Sequence, residues 1–189
     1  MTFKKIDGGA LVAPVALMAL VAFATLGGCI SSGPPASPVR WLDPTAGLEL
    51  PPAGAPIAPL ALHAQPHLGQ EIAVRTEPAV VVYDTDHRWL VPPRELVRRA
   101  FGRAQVGVLD SAVGGELRVE LQTFELQQLE GAPGARIVCR VVRSGARAAP
   151  GVRVEVVASA GDASPEALAA AMGRALQQLV ARVLAAART

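Results

Sequence analysis

Leu117-Arg118-Val119-Glu120-Leu121-Gln122-Thr123-Phe124-Glu125-Leu126 decides the fold class of this chain. Leu117, Val119 and Leu121 alternate with Arg118, Glu120 and Gln122, the period-two pattern of a half-buried strand. Phe124 breaks the phase, which predicts a bulge or a switch of face. Two further strands follow. Ala135 to Val142 places Ile137, Cys139 and Val141 on one face. Val152 to Ala158 alternates Val152, Val154 and Val156 with Arg153 and Glu155. Gly131-Ala132-Pro133-Gly134 and Gly145 to Gly151 supply turns, and short connections between consecutive strands predict an antiparallel meander.

After the meander, Ser164 is an N-cap, Pro165 fits the first helical position and Glu166 suits the positive end of the dipole. Leu168, Met172, Ala175, Leu176, Leu179 and Val183 then form an apolar stripe, continued by Leu184, in an alanine-rich helix. On the N-terminal side, Pro92-Pro93 opens a second helix. In it Leu96, Val97, Ala100, Phe101 and Ala104 recur at helical spacing, and Arg94, Arg98, Arg99 and Arg103 take the solvated positions. Ahead of that helix, Pro59 to Ala64 and Glu71 to Thr76 read as short strands, with Ile72 and Val74 on one face. Glu77-Pro78 is a turn, and Ala79 to Tyr83 is a continuous apolar run, as in a buried strand. Strands, helix, three strands and helix predict an α+β two-layer sandwich: a mixed, mostly antiparallel sheet with two helices on one face.

The first residues have another character. Lys4 and Lys5 are followed by an almost wholly apolar stretch from Ala10 to Leu26, and then by Leu26-Gly27-Gly28-Cys29. This is the layout of an export signal with a small-residue cleavage site, and Leu26, Gly27, Gly28 and Cys29 form a lipobox. Residues 1–28 are read as a lipoprotein signal peptide and Cys29 as the lipidated first residue of the mature chain. An uncleaved span is disfavoured, since the run is near the lower length limit and contains Pro14. Several acyl chains on Cys29 exceed what stable anchoring needs. Residues 29–56, rich in Pro, Gly, Ala and Ser, are read as a tether around a short segment at Arg40-Trp41-Leu42-Asp43-Pro44. The folded domain is placed at 57–189.

Charge and chemistry narrow the function. Of 18 basic and 16 acidic side chains, Lys4, Lys5 and Asp7 fall in the signal. The mature chain is therefore nearly neutral, which gives no support to nucleic-acid binding. Cys139 stands alone once Cys29 is acylated, so no internal disulfide framework exists, and a buried small hydrophobe is its expected role. His63 and His67 are separated by Pro66, which argues against one helix presenting both. Asp84, Asp86 and His87 are metal-ligand types, but no second ligand cluster accompanies them, and a polar loop between strand and helix is the preferred reading. Gly114-Gly115 precedes a strand and so is no phosphate loop. Ser111 lacks a nucleophile-elbow context. No catalytic constellation, cofactor site or metal site emerges.

Val80-Val81-Val82-Tyr83-Asp84-Thr85-Asp86-His87-Arg88-Trp89, followed by the helix from Pro92 to Phe101, resembles the ABC-type transport auxiliary lipoprotein family (the PqiC-like lipoproteins). Arg40-Trp41-Leu42-Asp43-Pro44 is similar to that family's opening motif, and Leu117 to Glu125 to its later strand ending in Phe-Glu. Two stretches depart from the pattern: the Pro-rich Thr45 to Pro56, and His67-Leu68-Gly69-Gln70, which lacks the charges expected at that turn. The resemblance implies a non-enzymatic docking role beside an MCE-domain protein and an ABC permease/ATPase complex that move lipids or apolar compounds between membranes. Tyr83, Asp84, Asp86, Arg88 and Trp89 are its candidate docking or family-motif residues, and self-association is also implied. Ile30, where Asp would mark inner-membrane retention, points to the periplasmic face of the outer membrane.

Overall fold

The computed structural model describes residues 38–51, 60–109, 117–129, 132–143 and 151–188. In chain order these form β1 (Arg40–Leu42), β2 (Leu60–Ala64), β3 (Glu71–Glu77), β4 (Val80–Trp89), α1 (Pro93–Arg103), β5 (Val108–Leu109), β6 (Leu117–Leu129), β7 (Ala132–Arg143), β8 (Val152–Ser159) and α2 (Pro165–Arg188). The lipobox residues Leu26, Gly27, Gly28 and Cys29, the signal, and the tether up to residue 37 lie outside the described residues.

All the described strands join one mixed sheet, and β6 is its axis. One edge of β6 pairs antiparallel with β7 from Leu117↔Arg143 to Leu129↔Ala132, and β7 pairs antiparallel with β8. The other edge takes two short parallel strands in tandem. β2 lies against Leu117 to Leu121 and β3 against Glu125 to Gln127. The β6–β7 register shifts between Leu121 and Thr123, so the phase break at Phe124 is a bulge. It keeps Phe124 and Leu126 in the core with Leu117, Val119 and Leu121, and turns Glu125 to the opposite face. The long ladders are antiparallel, as expected of the meander.

Both helices cover one face, and their stripes share one core with the sheet. In α2 the Ser164 hydroxyl accepts the Ala167 N–H at 3.3 Å, the N-cap bond anticipated from sequence. Leu168, Met172, Leu176, Leu179 and Val183 are all buried. Each such side chain contributes roughly 1.5–3 kcal/mol. In α1, Pro93 occupies the first turn, and Leu96, Val97, Ala100 and Phe101 face inward. Among the described residues no helix is long and apolar enough to cross a membrane.

Four expectations are corrected. First, residues 38–51 belong to the fold, so it starts near Pro38 and not at residue 57. β1 pairs parallel with β4, and Leu42, Thr45 and Leu48 are buried. Arg103 of α1 donates to the carbonyls of Thr45 and Leu48, and Gln177 of α2 to that of Glu49. A Cβ on Gly173 would lie 2.7 Å from the Pro44 carbonyl oxygen, so glycine there permits the close approach. Composition suggested a tether because these anchors come from residues far along the chain. Second, Ala132-Pro133-Gly134 begins β7 instead of forming a turn. A Cβ on Gly134 would sit 2.5 Å from the Ala158 carbonyl oxygen, which explains glycine within that strand. Third, the run from Ala79 to Tyr83 is exposed, although Val80 to Tyr83 is strand as expected. Fourth, Asp84 to Arg88 is not a loop leading to the helix; it lies within β4.

Candidate functional site

Strand β4 carries the sequence motif and distorts around it. Ala73 of β3 faces Tyr83, yet Glu71, two residues earlier, faces Arg88. The four residues Asp84 to His87 thus stand opposite the single Ile72, in an enlarged bulge. The Asp84 carboxylate folds it. Oδ1 accepts the N–H groups of Asp86 at 2.8 Å and His87 at 3.0 Å, and Oδ2 lies 3.0 Å from His87 Nδ1. Arg88 reaches back and donates to the carbonyls of Asp84 and His87. These polar side chains hold backbone, which is why a polar run reads as a loop and yet stays in a strand.

Trp89 ends the motif fully buried. Its ring meets Phe124 of β6 edge-on, with centroids 5.5 Å apart and planes at 83°. The Trp89 backbone N–H donates to the Gln70 carbonyl, and the backbone N–H of Leu90 donates to the Leu42 carbonyl of β1. The register sets Leu42 beside Trp89 and Arg40 beside His87. Arg40 also pairs with Glu166 at the start of α2, at 2.7 Å, but both side chains are 62% exposed and the pair contributes little.

The sheet face away from the helices carries a charged ladder that sequence reading missed. Glu125 is buried and meets Arg75 of β3 twice, at 2.8 and 2.9 Å, and Arg136 of β7 at 3.1 Å. Arg136 in turn binds Glu155 of β8 at 2.8 Å, and Arg153 binds the other Glu155 oxygen at 2.7 Å. The Arg75 guanidinium is held above its ordinary pKa, chiefly by its hydrogen bond to Glu125. Burial works against the charge on Arg136, but the bonds to Glu155 and Glu125 outweigh it and raise its pKa. The Glu155 carboxyl is lowered, chiefly by the Arg136 hydrogen bond. The available signal was charges in the middle of strands, at Glu125 between Phe124 and Leu126 and at Arg136 between Ala135 and Ile137. Their partners lie up to 50 residues away.

A cavity of about 270 Å³ opens beside this ladder, with Arg75, Glu125, Val81, Tyr83, Thr123 and His67 among its lining. A second, of about 340 Å³, is lined by His63, Pro66, Arg118 and Glu120 among others. His63 and His67 therefore line different cavities. Among the described residues no group of three or more His, Cys, Asp or Glu side chains is placed to hold a metal ion. Cys139 is buried, and burial pushes its thiol up to about 12. The structure joins Tyr83, Asp84, Asp86, Arg88 and Trp89 in one bulged strand.

These features define a two-layer α+β domain whose sheet has one covered and one open face. The fold is similar to that of protein XCC0632 from Xanthomonas campestris, described as DUF330. The TM-score is 0.58 at 18% identity, over 78% of this chain and 91% of that one. A second solved structure, of an uncharacterised protein, gives a TM-score of 0.56 at 12% identity, over 79% of this chain and 99% of that one. At these identities the likeness is one of fold. No family model and no curated protein matches the chain.

Proposed function

We propose that this protein is an outer-membrane lipoprotein, the auxiliary component of an MCE-type ABC transport system. It docks the periplasmic assembly so that lipids or apolar compounds pass between membranes. One observation carries the reading most: the three stretches that resemble the auxiliary lipoprotein family are far apart in sequence and meet in space. Leu42 of the first lies beside Trp89 of the second, and Trp89 packs on Phe124 of the third. The fold shared with a DUF330 protein agrees with it.

The work of such a component is positioning, not catalysis. Acyl chains on Cys29 hold the domain at one membrane, which raises the local concentration of its docking surface and strengthens weak contacts. The eleven Cα–Cα steps from Cys29 to Arg40 limit the excursion to about 40 Å.

The test is co-purification of the full-length protein from its own envelope. The reading expects an MCE-domain protein, with its permease and ATPase, in the outer-membrane-associated complex and encoded beside this chain. Recovery of the protein without any such partner, and no such genes nearby, overturns it. The anchor has its own test. A Cys29→Ser protein released into the periplasm should lose function; full function would remove tethering from the mechanism.

A further inference from the structure

Among the described residues, the outer edge of β4 is unpaired where the strand is most apolar. β1 pairs with it only from His87 to Trp89, and among the described residues no strand pairs with that edge from Val80 to Asp86. Val80, Val81, Val82 and Tyr83 are each 40 to 54% exposed. Alternation sends Val80 and Val82 to one face and Val81 and Tyr83 to the other, so the strand is apolar on both sides. A two-sided apolar strand is the pattern of a sheet interior, where neighbours cover both faces and both edges. Here the cover on one edge is not supplied by the described chain. Pro78 before the run and the Asp84 bulge after it confine the open stretch to about four residues.

We propose that this edge receives an extended segment of a partner protein as an added strand, apolar over about four residues and flanked by Lys or Arg. The free N–H and C=O groups of a strand edge call for an extended backbone, because only a strand satisfies them in series. Charge selects the flanks. From Glu77 to Asp86 the chain carries Glu77, Asp84 and Asp86 and no basic side chain. An anionic lipid surface is repelled by that edge. Two copies of it paired antiparallel about Val81 and Val82 would set Glu77 against Asp86, like charges face to face. Basic flanks on the incoming segment meet the same carboxylates favourably. The inference deepens the docking reading by naming where the partner attaches and what its segment looks like.

Its test needs no transport partner, so it fails or succeeds separately from that reading. The probes are a short peptide of four consecutive Val and Ile residues flanked by Lys and Arg, the same peptide flanked by Glu, and an N-methylated version. Each is added to the full-length protein in detergent, and amide hydrogen exchange is followed. The basic-ended peptide should slow exchange at Val80 to Tyr83. Its affinity should fall by about tenfold or more on charge reversal and on N-methylation, and should weaken with salt. A Val82→Lys protein with an unchanged melting temperature should lose binding to a similar extent. The N-methylated peptide gives the same answer with the protein unaltered. Equal binding of the Glu-ended peptide, protection elsewhere, or no binding at millimolar peptide overturns the proposal. So does self-association in the absence of peptide that Val82→Lys abolishes, which would make a second copy the occupant.

Discussion

The sheet ends in β8 on one flank and, from Val80 to Asp86, in β4 on another. On β8 the polar pattern is regular, with Arg153 and Glu155 alternating with buried Val154 and Val156. Helix α2 also reaches over that strand. Arg182 donates to the Glu155 carbonyl at 2.6 Å and Arg174 to the Ser159 carbonyl at 2.7 Å. The exposed valines on β8, Val152 and Val157, stand singly. On β4 four apolar residues in a row are exposed, and no guanidinium donates to the carbonyls of Val80 to Tyr83 among the described residues. Edge strands are a liability that charge and cover normally blunt. Among the described residues one edge is blunted and the other is open, so the open one is the better candidate for an interface.

The comparison can be broken from its foundations. β4 keeps its place because Trp89 is buried against Phe124 at its far end. Trp89→Ala should cost about 3–5 kcal/mol. A steep loss of melting temperature, with early proteolysis within β4, is the expected result. A near-normal melting temperature would mean that β4 is held elsewhere. Next in size is Glu125→Ala, which leaves Arg75 and Arg136 facing each other across β6 without their shared carboxylate. Loss of a buried partner of this kind costs on the order of 3 kcal/mol. Denaturant unfolding measures it, and a change under 1 kcal/mol would reduce the ladder to a surface feature.

Smaller effects test the edges themselves. Arg182→Ala removes one cover from β8 and should cost about 1 kcal/mol. It should also raise self-association seen by sedimentation, and an unchanged sedimentation profile would show that Arg182 does not blunt that edge. Acid dependence gives a finer check on β8. The Glu155 carboxyl has a lowered folded pKa, so its contribution is present above the ordinary glutamate range and is lost as pH falls through the lowered value. The melting temperature should therefore fall on acidification below about pH 4, and Glu155→Gln should flatten part of that fall. An identical acid profile in the variant would remove Glu155 from the ladder's energetics.

Local chemistry was legible in the sequence, and long-range pairing was not. The cap at Ser164, the α2 stripe and the phase break at Phe124 follow from side-chain type and period within one element. The two-layer α+β class and the antiparallel meander follow from those elements in order. The tandem parallel pairing of β2 and β3 on β6 depends on connections that no local period encodes. Residues 38–51 looked like linker because Arg103 and Gln177, which hold them, lie more than 50 residues away. The candidate site was half legible. Tyr83 to Trp89 stood out as a motif, but its bulge arises from Asp84 binding its own backbone, and the Glu125 ladder joins four strands. Val80 to Tyr83 was read as buried because its composition is that of an interior strand. Composition does not say whether a neighbour is present, and among the described residues none covers this stretch.

The most direct test of the account is complementation by full-length Val82→Lys protein in cells lacking the native copy. Exposed substitutions of this kind usually change stability by no more than about 0.5 kcal/mol. The account expects normal protein levels, normal recovery with the outer membrane, and failure to restore transport. Full restoration of transport at normal protein levels would contradict it.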